Sequence, residues 1–141
     1  MVTKAGTAVA TLMAAAALTA CQVQAKIVSA RADTEGATVL VSVEVPAPEA
    51  AKIKSRELYT YVRVGDCQDM ENGYPAEGYV DGKAVSTFSF ATEGATTVVS
   101  GRVPTRIFEQ YQAPCAALEG GGYFSGTLVS DPLVIQVGPG R

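Results

Sequence analysis

The chain has 141 residues, with 11 basic and 14 acidic side chains for a net charge of −3, and no histidine. That length suits one ordinary domain with a single core. Without histidine it lacks the usual general base near neutral pH and the commonest metal ligand, which removes Ser-His-Asp and Cys-His catalysis. No cluster of basic residues suited to a phosphate backbone occurs, which argues against nucleic acid as a partner.

The amino terminus carries one charge, Lys4, followed by an uncharged, alanine-rich run over residues 5–20 that ends in Leu18-Thr19-Ala20-Cys21. A basic end, an apolar middle and small residues at a cleavage point are the parts of a secretory signal peptide. Leu18-Thr19-Ala20-Cys21 resembles the lipobox of bacterial lipoprotein precursors. The resemblance implies that residues 1–20 are removed and that the thiol of Cys21, then the first residue, is acylated. Each buried methylene contributes roughly 0.8 kcal/mol, so several acyl chains at one point hold a protein firmly to a bilayer. By the same resemblance Gln22, standing where aspartate would retain a lipoprotein in the inner membrane, implies the outer membrane. Residues 21–25 then read as a tether of about four residues, reaching roughly 14 Å, between the lipid and a domain over 26–141. Two other readings stay open. Val23-Gln24-Ala25 also fits an ordinary signal-peptidase site, which would release a soluble protein. The uncharged residues 5–25 are long enough to span a bilayer, for which about 20 apolar residues are needed, although threonines and glutamines dilute them.

From residue 26 onward, apolar and polar residues alternate with a period of two. Residues 26–32 open the series, and Val39, Val41, Val43 and Val45 form one face of the next strand. Lys52, Lys54 and Arg56, bracketed by Glu49 and Glu57, read as a solvated basic loop. Leu58, Thr60, Val62 and Val64 then alternate with Tyr59, Tyr61 and Arg63. The alternation leaves open which set is buried.

Residues 65–75 read as the loop with functional character. Asp66, Asp69, Glu71 and Asn72 are oxygen donors of the kind calcium takes, though their spacing is not that of an EF-hand and surface loops are often acidic. Tyr74 and Tyr79 flank this segment. Tyrosine offers a broad amphipathic face at small entropic cost, so Tyr59, Tyr61, Tyr74 and Tyr79 form the candidate partner surface; the alternative for Tyr74 and Tyr79 is packing against the domain.

Ser86, Phe88 and Phe90 read as one face of a further strand. Thr34-Glu35-Gly36-Ala37-Thr38 recurs as Thr92-Glu93-Gly94-Ala95-Thr96, and each copy reads as strand, turn, strand and proline stop. Val98, Ser100 and Arg102 alternate with Val99, Gly101 and Val103. Residues 104–112 alone look helical, with Ile107 and Tyr111 four apart. Gly120, Gly121 and Gly122 read as a flexible connector, followed by strands over 123–129 and 133–137.

Seven strand candidates punctuated by Gly, Pro, Asn and Asp predict an all-β domain, an immunoglobulin-like antiparallel β-sandwich with at most one short helix near 104–112. With Cys21 assigned to lipid, Cys67 and Cys115 remain as an even pair in an exported protein. They are expected to form a disulfide crossing the core.

No motif points to a cofactor or a metal, and no pair of carboxylates is singled out. The sequence therefore predicts a lipid-anchored envelope module that binds or assembles with a protein partner and is not an enzyme. The alternatives are a soluble periplasmic or secreted inhibitor or chaperone-like domain cleaved after Ala25, and a carboxylate-based glycan hydrolase.

Overall fold

The computed structural model describes residues 22–124 and 126–138; the segment expected to be a signal peptide, residues 1–20, and the expected lipidation residue Cys21 lie outside the described residues. In chain order the elements are β1 (Gln22–Ala25), β2 (Ser29–Glu35), β3 (Thr38–Val45), α1 (Ala47–Ser55), β4 (Tyr59–Asp66), β5 (Asp69–Glu77), β6 (Tyr79–Val80) and β7 (Lys83–Ala84). A 3-10 turn (Thr87–Ser89) follows, then β8 (Thr97–Pro104), α2 (Thr105–Phe108), β9 (Pro114–Gly122), β10 (Gly126–Ser130), β11 (Leu133–Val134) and β12 (Gln136–Val137).

The period-two alternation builds the core. Val39, Val41, Val43 and Val45 of β3 all point inward, and Val99 and Val103 of β8 join them from the same sheet. Facing them are Val62 and Val64 of β4, Leu118 of β9 and Leu128 of β10. Branched side chains on pleated strands leave one dry layer between two sheets, the arrangement of a β-sandwich.

Sheet one has the order β1-β10-β9-β4-β5, with β11 also pairing β9. Sheet two runs β12-β2-β3-β8-β6-β7. The pairs β3–β8 and β4–β9 join strands far apart in sequence. The order β2-β3-β8-β6 opposite β4-β9-β10 matches the two sheets of an immunoglobulin-like sandwich. It is not wholly antiparallel: β1 runs parallel to β10 and β12 parallel to β2. Both parallel pairs lie at sheet edges, where the two ends of the described chain align with strands running the same way. Every edge strand is short or interrupted. β1, β7 and β12 have four, two and two residues, and β5 carries Pro75, which has no N–H to offer a further strand.

Several local expectations are corrected. Residues 22–25 are not a tether. They form β1, with Val23 8% and Ala25 0% exposed, and the next strand starts at Ser29 instead of 26. The basic segment belongs to α1, a second helix, which has a proline at its start, Glu49 in its first turn and Lys52 and Lys54 in its last. Those charges suit the helix dipole. Lys52 pairs with Glu49 (3.1 Å), and Ala50 and Ile53 are the buried side. Glu57, at φ 51°, ends the helix in the left-handed region while the Leu58 N–H donates to the Ile53 carbonyl, closing the last turn. The helix expected near 104–112 is α2, Thr105–Phe108, and Ile107, Phe108 and Tyr111 pack against the core.

The acidic loop after Val64 is mostly strand β5, and Gly120, Gly121 and Gly122 form the end of β9 instead of a flexible connector. Residues 86–90 do not make a strand: the 3-10 turn leaves Phe88 90% exposed and turns Phe90 into the core. The two Thr-Glu-Gly-Ala-Thr copies differ accordingly. The first turns the β2–β3 hairpin, whereas the second leads into β8 with no strand directly before it. The strands that follow the copies are direct neighbours. Ser42 of β3 faces Ser100 of β8, and their hydroxyls lie 2.7 Å apart.

Candidate functional site

On β4 the inward set is Thr60, Val62 and Val64, continuing the buried Leu58 just before it, because these complete the core opposite β3 and β8. Tyr59, Tyr61 and Arg63 therefore face outward. Their partners across the ladder are Gly121, Glu119 and Ala117 of β9, and on the other side Tyr61 faces Glu77 and Arg63 faces Pro75 of β5. Cross-strand neighbours on one face lie about 5 Å apart, close enough for long side chains to bond.

The centre of this face is a polar network. The Tyr61 hydroxyl donates to Glu119 Oε2 at 3.0 Å, and Arg63 Nε donates to the same oxygen. Arg63 Nη1 donates to the Gly73 carbonyl at 3.1 Å, Nη2 to the Tyr61 hydroxyl at 3.3 Å, and the guanidinium lies 5.6 Å from the centre of the Tyr61 ring. Charge-assisted bonds of this kind are the stronger ones, and the fork of Arg63 locks β4, β5 and β9 together. Partial burial raises the Tyr61 phenol above its ordinary 10.0, opposed by the hydrogen bond from Arg63 and reinforced by Glu119. The Arg63 guanidinium is held more firmly protonated by its bond to Glu119.

Above the network, Tyr59 lies exposed with its ring near Gly121. Below it a groove of about 420 Å³ is lined by Cys67, Asp69, Glu71, Glu119, Val129 and Asp131, among others. Cys67, one of these lining residues, is bonded to Cys115 in a disulfide with Cα atoms 4.9 Å apart. The disulfide does not cross the core. Cys115 shares the outward register of Ala117 and Glu119, while Ala116 and Leu118 fill the core, so the bond ties two neighbouring ends of sheet one. The Cys67 N–H also donates to the Ala113 carbonyl at 3.0 Å.

The four tyrosines do not form one surface. Tyr59 and Tyr61 share the outer face of sheet one. Tyr79 lies in sheet two and reaches the rim of that face by donating to Glu77 Oε2 at 2.8 Å, a bond that raises its phenol. Tyr74 is half-buried against the core. Three of the four oxygen donors considered for calcium are engaged locally: Asp66 Oδ1 accepts from the Ala113 N–H at 3.0 Å, and Asp69 accepts from the Asn72 amide at 2.9 Å. Among the described residues no three acids or cysteines are grouped to hold a metal ion.

Sequence reasoning missed Glu119, the hub of the network. The alternation around it is blurred by Ala116, Ala117 and three glycines; the usable signal was one acid at a strand position able to face Arg63. The chain matches no protein-family model, no curated protein and no solved structure.

Proposed function

We propose that the protein is a lipid-anchored module of a bacterial cell envelope that binds a partner protein through the outer face of sheet one and performs no catalysis. The observation carrying the anchored reading is β1. Cleavage before Cys21 leaves Gln22–Ala25 in place beside β10, whereas cleavage after Ala25 would remove a strand with two buried side chains. Burying a valine is worth about 2 kcal/mol before the lost strand pairing is counted, so the shorter product would be the less stable one. With β1 folded onto the sheet, the lipid on Cys21 would hold the domain directly at the membrane, facing the periplasm or the exterior, with the outer membrane favoured.

The binding reading rests on the character of the outer face. Tyr59 and the Tyr61–Arg63–Glu119 network stand beside an acidic groove, a mixture suited to a protein partner with exposed basic side chains. Two of the acids there are engaged as structural acceptors: Glu119 is held by Tyr61 and Arg63, and Asp69 by Asn72. That use of the carboxylates supports binding over a hydrolase mechanism, which would need one carboxyl as acid and another as base or nucleophile.

Two measurements test the proposal. The intact mass of the protein from cell membranes should correspond to an acylated chain starting at Cys21; an unmodified chain starting at Lys26 would overturn the anchored reading. A photo-crosslinking residue at Tyr59 should capture an envelope protein that the same residue at Arg31, on the outer face of sheet two, does not. Equal capture at both positions would remove the assigned face.

A further inference from the structure

Tyr123 and Phe124 form the turn between β9 and β10. Both side chains are fully exposed, with ring centroids 6.2 Å apart. Hairpin turns are ordinarily built from Gly, Asn, Asp or Ser, and leaving a large apolar side chain in water forgoes about 2 kcal/mol of burial. Two adjacent aromatics at a tip therefore call for an occupant.

The register of sheet one indicates which occupant. Gln22 pairs with Thr127, Thr127 with Gly121, and Gly121 with Tyr59, so these four residues form one rung across β1, β10, β9 and β4. Gly126 and Gly122 pair one step further out, and the aromatic tip lies beyond them. The residue joining β1 to the uncharged alanine-rich segment thus lies one strand, about 5 Å, from the arm that carries Tyr123 and Phe124.

Charge points the same way. No charged residue occurs from Gly120 to Ser130 or from Gln22 to Ala25, so the hairpin and the strand beside it at this end are both uncharged. The opposite end of the sheet carries Asp66, Asp69, Glu71 and Asp131 around the β4–β5 turn and the groove. An anionic bilayer would repel the acidic end and accept the aromatic one, and phenol and phenyl rings favour the headgroup–acyl boundary.

We propose that the Tyr123–Phe124 tip is a membrane-contact site that inserts into the lipid surface beside the point of anchorage. The inference rests on the anchored reading above and deepens it. The lipid holds the chain at Gln22, the tip supplies a second contact one strand away, and together they stand sheet one on its end. The outer face with Tyr61, Arg63 and Glu119 then looks sideways along the membrane, toward neighbouring proteins.

The chain contains no tryptophan, so Phe124→Trp introduces a single fluorescent probe. The full-length variant is taken from bacterial membranes into vesicles of phosphatidylethanolamine and phosphatidylglycerol and compared with Val137→Trp, an exposed position on the edge strand of sheet two. The tip probe is expected to shift its emission to shorter wavelength and to be quenched by bromine-labelled lipid, while the control is not. Equal, weak quenching of both probes in protein that floats with the vesicles overturns the tip contact and leaves the anchor intact. If the intact mass shows no acyl chains, the anchored reading fails by itself. The tip is then judged by adding vesicles to the released protein: a shift of the Phe124→Trp emission supports the contact, and none overturns it.

Discussion

Gly120 shows how little room the β4–β9 ladder allows. A Cβ built there would lie 1.8 Å from the Tyr59 carbonyl oxygen, and the next nearest atoms are also backbone. No side-chain rotation can relieve such a contact. Gly120→Ala is expected to cost about 3 kcal/mol, read as a lower urea midpoint, through displacement of the strand that holds Tyr59 and Tyr61. Gly36 is the opposite case. Its φ of +62° favours glycine, yet nothing lies within 4 Å, so Gly36→Ala should cost only about 1 kcal/mol.

Tyr61 contributes to the alkaline pH dependence, alongside Tyr79 and Tyr111, whose phenols are also raised. Its folded phenol is raised above the ordinary 10.0, so the neutral form is the one the fold favours. Its contribution to stability is fully present below that ordinary value and is lost as pH rises through the raised one. Alkaline titration followed by phenolate absorbance should show late-ionising tyrosines whose number falls by one in Tyr61→Phe, together with a shallower alkaline loss of stability. The role of Glu119 in that network was hard to read from the sequence, because a cross-strand partner is set by register and the alternation within residues 115–122 is blurred.

At the scale of elements, the outcome depended on how cleanly each segment alternates. β3, β4 and β8 were legible because their branched residues recur every second position. β5 was not: its Asp, Glu, Asn, Gly and Pro are loop residues by composition, and it stays a strand because it lies at an edge against β4. α1 was missed because two buried residues, Ala50 and Ile53, make too short a stripe, although its proline and charge placement were present. The pairing of Cys67 with Cys115 was legible from the expectation of export and the cysteine count, but its place within one sheet was not. Reducing this bond should destabilise the domain by about 4 kcal/mol on the chain-entropy estimate, since it closes residues 67–115. Urea unfolding with and without reductant, or of Cys67→Ser with Cys115→Ser, measures it.

Across the whole molecule, the two ends of sheet one differ in kind. One end brings together β1, the uncharged hairpin arm and the exposed Tyr123 and Phe124; the other gathers the disulfide, the groove and the acids around it. A domain held at Gln22 would therefore present a tyrosine–arginine–glutamate face sideways. The amino-acid sequence by itself determined the all-β class, the dry valine layer and the cysteine pair, because these follow from local periodicity and composition. The tertiary structure alone decided that Tyr59 and Tyr61 face outward, that residues 22–25 are a strand instead of a tether, and that the disulfide stays within one sheet. Each of those depends on which strand lies alongside which, and pairing between distant segments is fixed by the packing of the whole core.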